Sequence, residues 1–200
     1  CALVTGGTSG LGQAMAIALG QAGARVILMS RGSAGSMAPA LADMAAAGIQ
    51  ATGVTADLAD LAAIPATVQQ LLAEQGDIDI LVNAAGVNLR EPFAEVSPAT
   101  WSTQLNLHVG APFFLTQGLA PAMAKRGWGR IINVASIAGL GGNPPEMTTI
   151  AYNTSKGAVI NFTRALAAEW GKYNITVNAI CPGFFPSKMT VGTLKALGEE

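Results

Sequence analysis

The chain has 200 residues, enough for one large domain, and half of them are hydrophobic while only 12% are charged. So low a charge fraction fits a sheet buried on both faces together with an apolar interface between subunits. A formal net charge of -1 without a basic run excludes a nucleic-acid or anionic-membrane partner, and no apolar stretch reaches the roughly 18 residues of a membrane span.

The opening residues already form a strand (2–5) and do not read as a signal peptide. Thr5-Gly6-Gly7-Thr8-Ser9-Gly10-Leu11-Gly12 follows it and opens a helix predicted over 10–21. Glycines in that place allow a tight turn, close backbone approach to a pyrophosphate and tight helix-strand packing, while the helix N-terminus offers unpaired N–H groups. A plain glycine turn is the alternative. The second strand is predicted over 25–29. An acidic residue at its end would favour NAD, but Ser30 and Arg31 stand there, and a cation without a repelling carboxylate favours NADP. A solvated surface arginine is the bland reading of Arg31, so NAD stays possible.

A helix over 36–47 and a strand over 50–55 lead to Asp57-Leu58, placed either to receive an adenine amino group or to cap the next helix, 61–75. The fourth strand, 78–83, ends in Asn83-Ala84-Ala85-Gly86, small residues that let backbone lie close to a cofactor or simply turn. A long helix over 98–125 contains His108, the only histidine, which we read as a packing residue. The fifth strand, 129–135, delivers Ser136 at its carboxyl end, where parallel sheets bind ligands. With no second histidine to act as its base, a serine-hydrolase triad is excluded, and Ser136 suits holding and polarising a substrate oxygen. Tyr152 and Lys156 sit four apart on a helix over 151–173, hence on one face. A neighbouring ammonium is expected to lower the tyrosine pKa and make it an acid-base catalyst. A last strand spans 175–180. Cys1 and Cys181 have no ligand spacing, so neither a metal site nor a disulfide framework is expected, and a reducing cytoplasmic location is.

Strand-helix alternation without repeats or linkers predicts an α/β fold, with residues 1–200 in a single Rossmann-like domain: a doubly wound parallel sheet with helices on both faces. Thr5–Gly12, Asp57, Asn83–Gly86, Asn106, Ser136, Tyr152 with Lys156, and Pro182-Gly183 then occur in the order that resembles the short-chain dehydrogenase/reductase family over nearly the whole chain. The resemblance implies hydride transfer between a nicotinamide cofactor and a carbonyl or secondary alcohol. Tyr152 is implied as proton donor, Ser136 as the substrate-orienting group and Lys156 as a ribose ligand. Asn106 is implied to kink its helix and anchor a water near Lys156. Pro182-Gly183 would line the nicotinamide, and Ile180 and Ser187 would hold its amide. Homodimers or homotetramers would form through helices 98–125 and 151–173. A seventh strand would follow the substrate lid, here 184–200, so the chain is expected to be part of something longer.

Two departures stand out. Ala84 replaces the family's second asparagine, and the interval from Ser136 to Tyr152 carries extra residues, Gly141 to Met147, expected over the substrate. The stretches 139–147 and 181–190 resemble a branch of gluconate 5-dehydrogenases and 3-oxoacyl carrier-protein reductases. Arg90 or Lys188 could bind the carboxylate of a keto-sugar acid such as 5-keto-gluconate; Met147, Phe184 and Phe185 could line a channel for an acyl thioester. A dinucleotide-binding sensor or scaffold without turnover is the reading from another class.

Overall fold

Strands form where short runs rich in apolar and β-branched residues lie between helical segments. In the computed structural model, which describes residues 1–185, the strands are β1 (Ala2–Thr5), β2 (Val26–Ser30), β3 (Ala51–Thr55), β4 (Ile80–Asn83), β5 (Gly129–Val134) and β6 (Ile175–Ile180). They pair in parallel in the order β3-β2-β1-β4-β5-β6. Ala2 lies opposite Val26 on one side and Ile80 on the other, so β1 is the centre of the sheet. All four of its residues are buried, as a strand covered on both faces must be. The order reverses between β1 and β4, and a cleft opens at such a switch point beyond the carboxyl ends of the strands. This is the expected doubly wound α/β sheet.

Helices cover both faces. α1 (Gly10–Gln21) and α2 (Ala34–Ala46) pack Ala16, Ala40 and Met44 against Val4, Val26, Leu28 and Val82. On the other face, α3 (Ile64–Gln75) and α5 (Ala111–Arg126) set Val68, Leu71, Leu115, Leu119 and Met123 against Leu3, Ile27, Leu81 and Ile131. α6 (Ile150–Trp170) brings Leu166 and Trp170 to the same core and packs on β6.

Three boundaries depart from the sequence pattern for physical reasons. α3 starts at Ile64 instead of 61, because Asp60 Oδ1 accepts from the N–H groups of Ala62 and Ala63 and holds a turn there. The expected single helix over 98–125 is α4 (Pro98–Leu105), a π-helical turn (Asn106–Gly110) and then α5. One extra residue in that turn shifts the faces of α4 and α5 relative to each other. α6 ends at Trp170, and Asn174, at φ 59°, swings the chain into β6. Among the described residues no helix is long and apolar enough to cross a membrane, and no group of three or more potential metal ligands gathers.

Candidate active site

The glycine-rich turn works by contact. Gly6 adopts φ +65°, and a Cβ on Gly12 would lie 2.3 Å from the Gly6 carbonyl oxygen, so α1 can sit on the turn only without one. Ser9 makes no side-chain cap and the first turn of α1 carries no acid, which leaves its N–H groups unclaimed and its positive end uncompensated. A groove of about 680 Å³ opens in front of them, lined there by Gly6, Thr8, Ser9, Gly10, Leu11 and Gly12. Ala84 and Gly86 flank it from the loop after β4, and Tyr152, Lys156, Pro182 and Gly183 also line it. These features fit the pyrophosphate and nicotinamide of a dinucleotide.

Other expected cofactor ligands lie beyond the groove lining. Ser30 is half-buried and Arg31 exposed at the end of β2; among the described residues Arg31 has no hydrogen-bond or ion-pair partner. Asp57 is exposed and accepts from Ala59 N at 3.0 Å, so its carboxylate caps its own turn. The Leu58 side chain is buried in the core, which leaves only its backbone for an adenine. Asn83 is also buried, donating to Asn133 Oδ1 at 2.9 Å, while Asn133 donates to Thr163 Oγ1. Asn83 thus braces the sheet end and does not point its amide into the groove. Ser187 and Lys188 lie outside the described residues.

The reactive groups meet at the deep end. Tyr152 and Lys156 come from one face of α6, and Ser136 Oγ caps the 3-10 turn after β5 by accepting from Ala138 N at 3.1 Å. Lys156 is 5% exposed and donates to the Val134 carbonyl at 2.7 Å. Burial pushes its pKa down to about 8, against a smaller opposing pull from Cys181. Its Nζ lies 5.6 Å from the centre of the Tyr152 ring. Burial raises the Tyr152 pKa, and hydrogen bonding with Ser136 opposes that rise. The expected lowering by the ammonium is therefore not found; desolvation dominates, and the phenol keeps its proton. The Asn106 side chain donates to the Ala59 carbonyl at 3.2 Å, so its amide ties the π turn to the loop after β3. A π-helical turn begins at Asn106, where a kink is expected.

A second, smaller cavity of about 60 Å³ adjoins, lined by Asn88, Arg90, Ser136, Asn143, Met147, Thr149, Tyr152 and Phe184 among others. Ser136, Tyr152 and Gly183 line both spaces, so groove and pocket meet at these three residues. The extra residues before Tyr152 are clasped: Asn143 donates to Thr149 Oγ1 and Asn153 Oδ1, and Asn153 donates to the Gly141 carbonyl. Sequence reasoning missed this clasp and the Val134 carbonyl, while His108 is packed as expected, buried with its ring edge-on to Tyr152 at 5.5 Å. Their partners are remote in sequence or are main-chain atoms, and only the singularity of His108 set it apart.

A family model described as short chain dehydrogenase matches residues 1–197. The chain is 38% identical over 192 residues to a 2-dehydro-3-deoxy-D-gluconate 5-dehydrogenase of Dickeya dadantii, covering 94% of this chain and 73% of that protein. It is 37% identical over 190 residues to a 3-oxoacyl acyl-carrier-protein reductase of Aquifex aeolicus, covering 94% and 75%. Among solved structures, one described as a putative NAD(P)-dependent gluconate 5-dehydrogenase from Beutenbergia cavernae with bound NADP superposes with a TM-score of 0.91 at 35% identity, covering 98% of this chain and 77% of that one. The chain belongs to the short-chain dehydrogenase family of oxidoreductases, acting between an alcohol and a carbonyl.

Proposed function

We propose that this protein uses NADP to interconvert a keto-sugar acid, such as 5-keto-gluconate, and its secondary alcohol. The observation that carries the reading is the meeting of the long groove and the small pocket at Ser136 and Tyr152. When bound, the nicotinamide supplies or accepts the hydride. In reduction, Ser136 Oγ holds the substrate oxygen, and the Tyr152 hydroxyl gives it a proton as hydride reaches the carbonyl carbon. A phenol held protonated by burial suits the donor role. Lys156, whose other donors remain after the Val134 contact, binds ribose hydroxyls and stabilises the phenolate left behind. Exposed Arg31 at the end of β2 supports NADP by offering a cation for a 2′-phosphate. Arg90 in the small pocket supports an anionic substrate.

Met147 and Phe184 in that pocket favour a second reading, reduction of a 3-oxoacyl thioester. We further propose that copies pair through helices 98–125 and 151–173, where Trp101 and Phe113 stay 43% and 45% exposed.

Oxidation of NADPH and NADH against 5-keto-gluconate, a 3-oxoacyl thioester and simple diketones tests the substrate and cofactor together. Preference for the keto acid with NADPH supports the reading. Turnover of the thioester alone replaces it, and bound cofactor with no turnover on any carbonyl points to a sensor.

A further inference from the structure

His108 stands in the π turn two residues past Asn106, with 1% of it exposed, and every polar atom of its ring is engaged. Nε2 accepts from the Val87 N–H at 3.0 Å, on the loop after β4 that flanks the cofactor groove. A neutral ring accepting there carries its proton on Nδ1. Nδ1 therefore donates to Ser155 Oγ at 2.7 Å, and Ser155 Oγ donates onward to the Tyr152 carbonyl at 2.7 Å. The ring meets the Tyr152 ring at 89°, 5.5 Å between centres. A Cβ on Gly86 would lie 3.2 Å from Nε2, so loop and imidazole are also in close contact.

We propose that His108 is a positioning residue, a two-ended tie that fixes the Tyr152 phenol relative to the loop after β4 that flanks the cofactor groove. The inference rests on Tyr152 as the proton donor. Three contacts act on one residue: the hydrogen-bonded chain holds the Tyr152 main chain, the ring edge limits its side chain, and the Val87 bond sets the cofactor-side wall against both. The π turn is what makes this possible, because it presents residue 108 to α6 while Asn106 reaches Ala59. The tie demands a neutral imidazole. Burial, with Lys156 adding repulsion, keeps it so by holding its pKa down at about 3. Lys156 is the one charged group among the causes of that shift; Ser155, Tyr152 and Val87 present neutral atoms.

The test compares His108→Leu, which fills the space without polar atoms, with His108→Asn, whose amide keeps a donor near the Nδ1 position, and Ser155→Ala, which cuts the chain at its middle. Tyr152→Phe serves as the reference for the donor role. Rates are normalised to sites titrated with NADPH. We expect kcat of His108→Leu and Ser155→Ala to fall roughly tenfold or more, as small displacements of a reacting group do, with NADPH affinity changed by less than about threefold. His108→Asn should recover part of kcat. The deuterium isotope effect from 4-deuterated NADPH should rise in the slow variants as hydride transfer becomes limiting. A merely structural residue would lower the melting temperature and the titratable fraction, leaving per-site kcat and the isotope effect alone. That result, or equal losses in the Asn and Leu variants, overturns the tie. If Tyr152→Phe itself keeps full turnover, the donor reading fails first and the two failures are told apart.

Discussion

Lys156 carries an ammonium into a place where one main-chain carbonyl is its only hydrogen-bond acceptor among the described residues, and burial depresses its pKa from 10.5 to about 8. Between those values the unfolded chain binds the proton that the folded chain has released, so folding stability rises with pH across that window, by up to about 1.4 kcal/mol per unit. The cofactor-free protein should accordingly gain stability relative to Lys156→Met from pH 8 to 10.5, measured by denaturant titration at each pH; parallel profiles would contradict the buried charge. His108 acts with the same sign at acid pH. Its pKa falls from 6.5 to about 3, so its stabilising neutrality is complete above 6.5 and is lost as pH falls toward 3. His108→Asn should flatten that acid limb. Arg31 acts on selectivity: exchange for Asp should cut the NADPH over NADH preference by at least roughly tenfold in kcat/KM, through the lost cation and the added repulsion. An unchanged ratio would make Arg31 an ordinary surface residue.

Elements hold these residues through backbone contacts that only small residues permit. A Cβ on Gly139 would fall 2.6 Å from the Lys156 carbonyl carbon and 2.8 Å from Gly157 N, so the turn after Ser136 lies directly on the backbone of α6. Gly139→Ala should push that turn away, cost about 1–3 kcal/mol of stability and lower kcat more than cofactor affinity, since Ser136 moves while the glycine-rich turn does not. Wild-type stability and rate in this variant would show that the turn has room. Much of this framework was legible in sequence. Alternating apolar runs located all six strands, and Gly10 to Gln21 matched α1 at both ends. Periodicity could not show the π turn, because one inserted residue leaves the pattern of a long apolar helix nearly intact. The start of α3 escaped notice for a local reason, the Asp60 side chain competing for backbone N–H groups. The catalytic candidates were legible because their chemistry is spaced within single elements. The Asn143–Asn153 clasp was not, since it forms only when the loop before Tyr152 folds against α6, and for His108 the packing was legible but not its partners on α6 and the loop after β4.

At the scale of the molecule, the strand order places the glycine-rich turn after β1 and the Ser136 turn after β5 at the same edge of the sheet, with α6 crossing between groove and pocket. Groove and pocket share only Ser136, Tyr152 and Gly183 of their lining. Assembly should build on the opposite face of the long helices: the protein should sediment as a dimer or tetramer, and Phe113→Glu should shift it toward monomer by burying a charge in an apolar contact. A monomeric wild type would remove that surface from the account. The most direct test of the whole account is Tyr152→Phe, assayed for NADPH binding by fluorescence and for carbonyl reduction under the same conditions. Loss of turnover by roughly a hundredfold or more with NADPH binding unchanged is the predicted result. Turnover that survives the loss of the hydroxyl would contradict proton transfer by Tyr152 and, with it, the chemistry assigned to this site.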